Sequence, residues 1–413
     1  MSCYTVLKQC RVCGSPALRY SGFGLPKMPM ANRFERGGVN HTTRPVAPLT
    51  VLVCMSCGHS QLREQVNPHL LFDDYVYTTG TSASFRAHFI AYAKWLRERV
   101  GGPVPRSLEI GSNDGMLMEA MVKEGFDAFG VEPSYQLVDN CRGRNLKVSH
   151  ASFDTDFARD FIRANSRVHV VTANNVLAHV ENLHEVLNAA AAVLMPGGLL
   201  ALEVQNLDKL FEGGLFDMVY AEHRDYHTGW SWAILFALHG FVFTEHLDVP
   251  THGGSLRIIG RLKKSGDSPE DVHRRFFPHV DPYATLIRWE LLAGHMRRTS
   301  AELKDALKSF NNVVIYGAPA KLTSLMYGLG IAEDLCFKYV IDDSPTKQYS
   351  HTPGGHLPVY SREAVNHVDL HLPKPDAVLI GAWNVADDIV PRIRELFGAK
   401  VPIIVPLPKV VVL

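Results

Sequence analysis

A strand, a glycine turn and a helix follow one another twice along this chain, and this recurrence restricts the possible folds more than any other feature. The first occurrence reads "SLEIGSNDGMLMEAMVKEG" and the second reads "NNVVIYGAPAKLTSLMYGLG". Further apolar strands follow the first, among them "FDAFGVEPS", "VHVVTANNVLAHV" and "LLALEVQN". Strands that alternate with helices predict a parallel sheet covered by helices. We therefore expect a doubly wound α/β protein that binds its ligands at the carboxyl ends of the strands.

Two C-x-x-C pairs occupy the first sixty residues, in "CRVCG" and "CMSCGH", and a glycine follows each pair. Thiols at this spacing in a reducing compartment are more often metal ligands than disulfides. Two such pairs supply the four thiolates of a closed tetrahedral Zn²⁺ site, which is structural rather than catalytic. We expect Cys10, Cys13, Cys54 and Cys57 to bind one structural zinc ion.

The chain of 413 residues is too long for one ordinary core and divides by its patterns into three segments. Residues 1–72 contain both cysteine pairs and form the predicted zinc-binding domain. Residues 73–263 contain the first α/β alternation. The charged stretch "KKSGDSPEDVHRR" lies at the next boundary, and residues 264–413 contain a second, smaller α/β unit.

The composition excludes two classes of function. Lys plus Arg and Asp plus Glu both number 42, so the chain lacks the basic surplus that nucleic-acid binding usually requires. No apolar run reaches the roughly 18 residues of a membrane span, and the first twenty residues have no apolar signal core. We expect a cytoplasmic protein that binds neither nucleic acid nor membrane and is a monomer or a small homo-oligomer.

The first glycine turn, "LEIGSNDG", suits a ligand with a cationic amino group and no phosphate. Glu109 ends the strand, and Gly111 allows the backbone to approach a ligand closely. Glu132 ends the next strand, where an acid suits a ribose diol. The turn is not G-x-G-x-x-G, which argues against a dinucleotide and hence against a dehydrogenase. The sequence therefore favours a turn that binds S-adenosylmethionine over a turn that serves only packing.

The predicted cofactor-binding residues come from this turn and from the ends of the neighbouring strands. They are Glu109, Gly111, Asn113, Asp114, Gly115, Glu132, Pro133, Ser152, Phe153, Asn174 and Asn175.

Motifs in all three segments resemble one family. They include "CRVCG", "CMSCGHSQL", "LFDDYVY", "LEIGSNDG", "GVEPS", "NNVLAHV", "YAEHRDYHT", "THGGSLR", "YGAPAK" and "TPGGHLPV". Together they resemble the sugar C-methyltransferases of deoxysugar biosynthesis, which act on 4-keto hexoses carried on a nucleoside diphosphate, usually dTDP. The resemblance implies a zinc-binding N-terminal domain, a Rossmann-like domain dependent on S-adenosylmethionine, and a C-terminal Rossmann-like domain that assists nucleotide-sugar binding.

The segment "YAEHRDYHT", residues 220–228, concentrates ionisable side chains after the fourth strand of the first α/β unit. The resemblance implies that His223 is the general base and that Glu222 lies beside it. It also places Tyr220, His179 and one tyrosine of "LFDDYVY" in the active site, with Tyr75 and Tyr77 both open. The alternatives are a solvated turn for the segment and a structural role for His179.

Two further segments are candidates for substrate binding. In "THGGSLR", His252 and Arg257 could contact substrate phosphates or could belong to a structural turn. In the second α/β unit, the stretch "YGAPAK" presents Gly317 and Lys321 where a helix begins, and this position favours binding of an anion. The resemblance implies that this stretch helps to hold the nucleotide diphosphate.

The expected reaction is transfer of a methyl group to carbon, at C-3 beside the ketone of a dTDP-4-keto-6-deoxysugar. A histidine of near-neutral pKa removes the C-3 proton, and hydroxyl or imidazole donors stabilise the enolate. The alternatives are an O- or N-methyltransferase and a non-catalytic protein that binds zinc and nucleotide.

Overall fold

The computed structural model describes residues 3–36, 44–72, 83–265, 267 and 278–413, with the backbone alone at 83, 84, 252, 366 and 368. Within these residues the strands form one two-stranded ribbon, one four-stranded sheet and two seven-stranded sheets. Helices cover the two larger sheets, which confirms the expected α/β class. Among the helices described, none is both long and apolar enough to cross a lipid bilayer.

The N-terminal segment folds into antiparallel strands. They are β1 (Tyr4–Val6), β2 (Leu18–Pro29), β3 (Val46–Cys54), β4 (Ser60–Leu62) and β5 (Glu64–Val66), followed by helix α1 (Pro68–Phe72). Strands β2, β3 and β4 pair in that order, and β1 pairs with β5. Alternate residues of β3, from Ala47 to Val53, are fully buried. Such alternation gives the sheet one apolar face to pack against other elements.

The central segment contains the first doubly wound unit. Its elements are α2 (Ala83–Arg99), β6 (Arg106–Ile110), α3 (Met116–Lys123), β7 (Asp127–Glu132), α4 (Tyr135–Gly143), β8 (Lys147–His150), α5 (Thr155–Asn165), β9 (Val168–Asn174), α6 (Leu183–Val193), β10 (Leu194–Gln205), α7 (Leu207–Glu212), β11 (Asp225–Tyr226), α8 (Gly229–Leu238), β12 (Phe241–Val249) and β13 (Ser255–Leu262). Two 3-10 turns, Phe216–Met218 and Thr251–Gly253, interrupt its loops.

The central sheet has the order β12-β13-β10-β9-β6-β7-β8. Strands β6 to β10 run parallel, whereas β13 and β12 continue the sheet antiparallel. The chain leaves β6 toward β7 and β8 and then crosses to β9 on the other side. The strand order therefore reverses between β6 and β9, and such a switch point opens a crevice at the carboxyl ends of the strands.

The C-terminal segment repeats this plan. Its elements are α9 (Pro282–Leu307), β14 (Val313–Tyr316), α10 (Ala320–Gly328), β15 (Phe337–Ile341), β16 (Ser350–His351), β17 (Pro358–Tyr360), β18 (Ala377–Ile380), α11 (Ala386–Phe397), β19 (Ile403–Val405) and β20 (Val411–Val412). The sheet order is β16-β17-β15-β14-β18-β19-β20. All residues of β14 and β18 are buried, as central parallel strands covered on both faces should be.

The N-terminal sheet also receives elements from both α/β segments. Strand β11 pairs antiparallel with β4, and helix α9 packs against β2. Trp289 of α9 is fully buried, lies 5.2 Å from the Phe23 ring and donates a hydrogen bond to Ser60 Oγ at 2.9 Å. The expected boundaries after residues 72 and 263 therefore separate segments of sequence whose structures interlock.

Candidate active site and zinc centre

The sulfur atoms of Cys10, Cys13, Cys54 and Cys57 all lie within 4.8 Å of one another. The closest pairs are separated by 3.6 and 3.7 Å. Zn–S bonds of about 2.3 Å in a tetrahedron place sulfur atoms about 3.8 Å apart, so the four thiols fit a zinc ion. Gly14 and Gly58 follow the pairs with φ of 73° and 75°, a conformation that glycine adopts without strain. The cluster is a structural zinc site, as predicted.

A cavity of about 830 Å³ opens at the switch point of the central sheet. Residues from the ends of β6, β7 and β9 line it. The lining includes ten of the predicted cofactor residues, namely Glu109, Gly111, Asn113, Asp114, Glu132, Pro133, Ser152, Phe153, Asn174 and Asn175. Phe72, Phe85 and Phe89, which the sequence did not single out, add an apolar wall. The cavity is large enough for a nucleoside-sized ligand.

The carboxylate of Glu132 is held by the backbone of two turns. One oxygen accepts the N–H of Asn113 at 3.0 Å, and the other accepts the N–H of Ser134 at 3.0 Å. Each carboxylate oxygen has a second lone pair, so the group can still accept hydrogen bonds from a ligand. This arrangement fixes an acceptor pair at the rim of the cavity and fits a ribose diol.

Three buried polar groups of the cavity wall have no hydrogen-bond partner within the described parts of the chain. They are Glu109 Oε2, Ser112 Oγ and the side-chain amide of Asn174, which lies beside Glu109 and lowers the pKa of that carboxyl group without meeting the geometry of a hydrogen bond. Burial raises the pKa of Glu109 well above its usual value, and the carboxylates of Asp114 and Glu132 raise it further. A cationic group beside Glu109 would offset that cost by restoring a partner for the charge. The wall therefore fits a ligand with an ammonium group, such as S-adenosylmethionine.

The two glycines of the first turn have different surroundings. Gly111 has φ of 64°, lines the cavity, and a Cβ there would lie 2.6 Å from Val176 Cγ2. Gly115 has φ of 76° and is absent from the cavity wall, and its Cβ would meet Leu146 Cδ1 at 2.4 Å. Gly115 therefore allows the turn to pack closely on α4 and its following loop, and its contact with the cofactor stays a prediction.

The imidazole of His223 has a defined tautomer. Its Nδ1 lies 2.9 Å from the carbonyl oxygen of Met218, which can only accept, so Nδ1 carries the proton. In the neutral imidazole Nε2 is then an acceptor, and it lies 2.7 Å from the hydroxyl of Tyr220. A neutral imidazole with a free-base Nε2 has the form that a general base requires.

His179 connects this imidazole with the cofactor cavity. It lines the cavity wall, and its ring centroid lies 5.0 Å from that of His223. The ring of Phe72 lies 6.3 Å from that of His179 and is nearly parallel to it. The backbone N–H of Arg224 donates to the carbonyl of Ala178, at 2.8 Å, which joins the two segments. The structure therefore brings His179, Tyr220 and His223 together beside the cavity.

Glu222 is a buried carboxyl group in an unusual state. Its Oε1 accepts hydrogen bonds from the side-chain amide and the backbone N–H of Asn32, at 3.0 and 3.3 Å. Its Oε2 has no partner among the described residues. Burial raises the pKa of Glu222 to about 7, so much of the group is protonated near neutral pH. Asn32 comes from the N-terminal segment and was not expected in this site.

Arg257 is engaged inside the central sheet and not at a ligand site. Its guanidinium donates to Glu203 Oε2 at 2.8 Å and lies 3.8 Å from the Tyr92 ring centroid. The same carboxylate interacts with His88 at 2.9 Å, and burial of the pair leaves Arg257 only 7% exposed. This favours the structural alternative for Arg257. His252 lies in the turn Thr251–Gly253, where the backbone alone is described.

Gly317 and Lys321 lie at the switch point of the C-terminal sheet. Gly317 has φ of 87°, and a Cβ there would lie 2.8 Å from Ala382 Cβ. The ammonium of Lys321 is buried, donates to Asn384 Oδ1 at 2.6 Å and lies 3.9 Å from the Trp383 ring centroid. Tyr75 and Tyr77 fall outside the described residues.

Arg11 links the zinc site to the cofactor cavity, a contact that the sequence analysis missed. It lies between two zinc ligands, and its guanidinium donates to both carboxylate oxygens of Asp225 at 2.9 and 3.0 Å. It also donates to the carbonyls of Val180 and Glu181, which line the cavity, at 2.7 and 2.8 Å. The partners lie more than 160 residues away in sequence, so no local pattern indicated them.

Three family models match successive parts of the chain. They are the "Putative zinc binding domain" at residues 10–72, the "Methyltransferase domain" at 84–246 and the "C-methyltransferase C-terminal domain" at 250–408. The C-methyltransferase NovU of Streptomyces niveus is 27% identical over 98% of this chain and 96% of its own. The ubiquinone biosynthesis O-methyltransferase of Azoarcus sp. (strain BH72) is 27% identical, but only over 31% of this chain and 55% of its own.

A solved structure of magnesium protoporphyrin IX methyltransferase from Synechocystis PCC 6803 with bound S-adenosylmethionine is 14% identical, with a TM-score of 0.34. The match covers 43% of this chain and 79% of the other. The three family models account for nearly the whole chain, in the order that the motifs indicated. The chain is thus similar to C-methyltransferases over nearly its whole length, and it is a zinc-binding, S-adenosylmethionine-dependent methyltransferase.

Proposed function

We propose that the chain methylates carbon, at C-3 beside the ketone of a dTDP-4-keto-6-deoxysugar, with His223 as general base. The observation that carries the proposal is the tautomer of His223. Its Nδ1 proton is committed to the Met218 carbonyl, and its Nε2 faces a tyrosine hydroxyl beside the cofactor cavity. Methyl transfer to oxygen or nitrogen would not require removal of a proton from carbon, whereas transfer to carbon does.

The first step breaks the C-3–H bond. Nε2 of His223 takes the proton, and the electron pair moves through the carbonyl to the oxygen at C-4, which becomes an enolate. When bound, S-adenosylmethionine supplies the methyl group, which C-3 attacks by direct displacement. The chain contributes by holding the acceptor carbon near the cofactor cavity and by keeping the base in one orientation.

The enolate oxygen needs hydrogen-bond donors that are in place before the reaction. We propose Tyr220, His179 and Glu222 for this role, together with a tyrosine at 75 or 77. Tyr220 and His179 lie on either side of His223. The pKa of Glu222 is raised to about 7 by burial, so the group can donate a proton that an ionised carboxylate lacks. Donors fixed in a buried site stabilise a developing oxyanion far more than in water.

The cofactor is proposed to contact the ten residues of the cavity wall named above, with Glu109 at its ammonium group and Glu132 at its ribose. For the nucleotide part of the sugar we propose the switch point of the C-terminal sheet, with Gly317 and Lys321. Lys321 lies at the start of α10, where unpaired backbone N–H groups favour an anion. The buried contacts of Arg257 with Glu203 do not support it as a phosphate ligand. We also propose that the domains span residues 1–72, 73–263 and 264–413 and that the protein is cytoplasmic.

The experiment is mass spectrometry of dTDP-4-keto-6-deoxyhexoses after incubation with the enzyme in D₂O. With S-adenosylmethionine present we expect one added methyl group on the sugar. With the cofactor replaced by S-adenosylhomocysteine we expect deuterium at the carbon beside the ketone, and none with His223→Ala. Methyl transfer without that exchange would favour the O- or N-methyltransferase. Binding of S-adenosylmethionine without transfer to any sugar would leave the acceptor unassigned and contradict the proposal.

A further inference from the structure

Three consecutive residues, Asp217–Val219, lie between the C-terminal domain and the proposed base. Asp217 is fully buried, and its Oδ2 accepts a hydrogen bond from the Trp383 indole N–H at 2.6 Å. The carbonyl of Val219 accepts a hydrogen bond from Ser324 Oγ, also at 2.6 Å. Both donors belong to the C-terminal segment. The residue between these two anchor points is Met218, whose carbonyl accepts the Nδ1 proton of His223.

The two anchors fix the direction of the Met218 carbonyl. A peptide carbonyl can turn only if the backbone dihedrals on either side of it change. Here the side chain before it and the carbonyl after it are both bonded to another domain. The hydrogen bond that one imidazole nitrogen makes decides which nitrogen carries the proton. Holding the Met218 carbonyl therefore holds His223 as the Nδ1–H tautomer, in which Nε2 carries the lone pair.

The anchoring side chains are themselves well held. Ser324 is fully buried on helix α10. The Lys321 ammonium lies 3.9 Å from the centroid of the Trp383 ring and donates a hydrogen bond to Asn384. Neither anchoring side chain can adopt another rotamer without breaking a buried hydrogen bond.

We propose that Ser324 and Trp383 are positioning residues for His223, so that the C-terminal domain sets the tautomer and orientation of the base in the methyltransferase domain. The inference rests on the proposed function, since it concerns the base of that reaction. It gives the C-terminal domain a part in proton transfer that is separate from any contact with the nucleotide. Ser324 and Trp383 would act through the Met218 carbonyl and not by contact with the reacting atoms.

The test compares Ser324→Ala with Ser324→Thr and with a matched control, Ser300→Ala. Ser300 Oγ donates to the Leu329 carbonyl at 2.7 Å. It therefore makes the same kind of bond as Ser324, and its acceptor directly follows the last residue of α10. The measurements are the rate of deuterium exchange into the sugar with S-adenosylhomocysteine bound, kcat and KM for the sugar, and the Kd of S-adenosylhomocysteine. Trp383→Phe, which keeps a ring and removes the donor, serves as a second variant if Ser324→Ala does not fold.

We expect Ser324→Ala to slow exchange and lower kcat by about tenfold or more, with KM and the Kd unchanged, because the base is misplaced while binding is intact. Ser324→Thr should restore both rates, and Ser300→Ala should keep them. Equal exchange rates in Ser324→Ala, Trp383→Phe and the control would overturn the inference and leave the proposed function intact. Absence of exchange with the wild-type protein would remove the proposed function, and the base that this inference positions with it.

Discussion

The hydroxyl of Tyr220 lies 2.7 Å from Nε2 of His223, and the two rings are only 3.9 Å apart. The phenol thus occupies the lone pair with which the imidazole would take a proton from substrate. In the proposed reaction, the hydroxyl releases this lone pair when substrate binds and donates to the oxygen of the ketone instead. One group of the pair would then accept a proton while its neighbour stabilises the charge that results.

Replacing this phenol should reduce catalysis and leave cofactor binding unchanged. We expect Tyr220→Phe to lower kcat for methyl transfer by about 10²-fold, the usual effect of losing one oxyanion donor. Steady-state kinetics and calorimetry with S-adenosylhomocysteine would measure the two quantities. Tyr226→Phe is the matched control, since Tyr226 is buried and its hydroxyl has no partner within the described chain. Equal kcat in the two variants would exclude Tyr220 from the reaction.

The buried carboxyl group of Glu222 should make stability depend on pH. Its pKa is raised from 4.5 to about 7 in the folded protein, so the folded state keeps a proton that the unfolded chain loses. The contribution to stability is complete below pH 4.5 and is lost as pH rises through about 7. It amounts to on the order of 3 kcal/mol.

Urea unfolding of wild-type protein and Glu222→Gln at several pH values would test this. The wild-type free energy of unfolding should fall more steeply between pH 4.5 and 7 than that of the variant. Glu98→Gln, on an exposed position of α2, should keep the wild-type slope. Parallel curves for wild type and Glu222→Gln would show that the carboxyl group has the same pKa in the folded protein as in the unfolded chain.

Glu132 should control affinity for the cofactor. Two backbone N–H groups hold its carboxylate at the cavity rim, and a hydrogen bond to a charged group contributes roughly 1.5–3 kcal/mol. We expect Glu132→Gln to raise the Kd of S-adenosylhomocysteine by about 10-fold or more, measured by calorimetry. Asp127→Asn, at the opposite end of β7, removes a surface ion pair with Lys147 and should leave the Kd unchanged. Unchanged affinity in both variants would place the ribose elsewhere.

Arg11 should connect the zinc domain to cofactor binding. Its side chain is 8% exposed, and removing it leaves the buried carboxylate of Asp225 without its guanidinium partner. We expect Arg11→Ala to lose about 3–5 kcal/mol of unfolding free energy. It should also weaken binding of S-adenosylhomocysteine, because the Val180 and Glu181 carbonyls lose their donor.

Native mass spectrometry should show one zinc ion still bound to Arg11→Ala, since the four thiols are unchanged. Arg19→Ala, on an exposed position of β2, should resemble wild type in stability and affinity. Loss of zinc together with affinity would instead mean that the variant disrupts the metal site itself.

Features that depend on short spacing could be predicted from the sequence. The two C-x-x-C pairs identified all four zinc ligands, and the turn at Gly111 with the acid at Glu132 identified most of the cavity wall. Both follow from local rules, because a turn or the end of a strand fixes where a few neighbouring residues lie. The role of Gly115 could not be decided in this way, because a glycine of positive φ serves packing and ligand approach equally well.

Contacts between distant segments could not be predicted. Asn32 lies 190 residues from Glu222, and Arg11 lies 214 residues from Asp225. The segment "YAEHRDYHT" looked like one cluster, but the structure divides it. His223 lies beside His179 and Tyr220, whereas Asp225 and Tyr226 form the strand that joins the N-terminal sheet. The division arises because Asp225 and Tyr226 pair with the edge strand β4. The pattern of nine residues cannot predict pairing with a strand so distant in sequence.

The order in which this chain is made has a consequence for its N-terminal sheet. The zinc ligands have all left the ribosome once residue 57 emerges, so the metal can bind early. The strand that pairs with β4 arrives only with residues 225 and 226, and Trp289 follows later still. Until then the nascent sheet exposes an unpaired edge and an uncovered apolar face, the conditions under which chains aggregate. We therefore expect that a ribosome-bound or excised zinc domain needs a chaperone. Zinc can bind before the N-terminal sheet is complete.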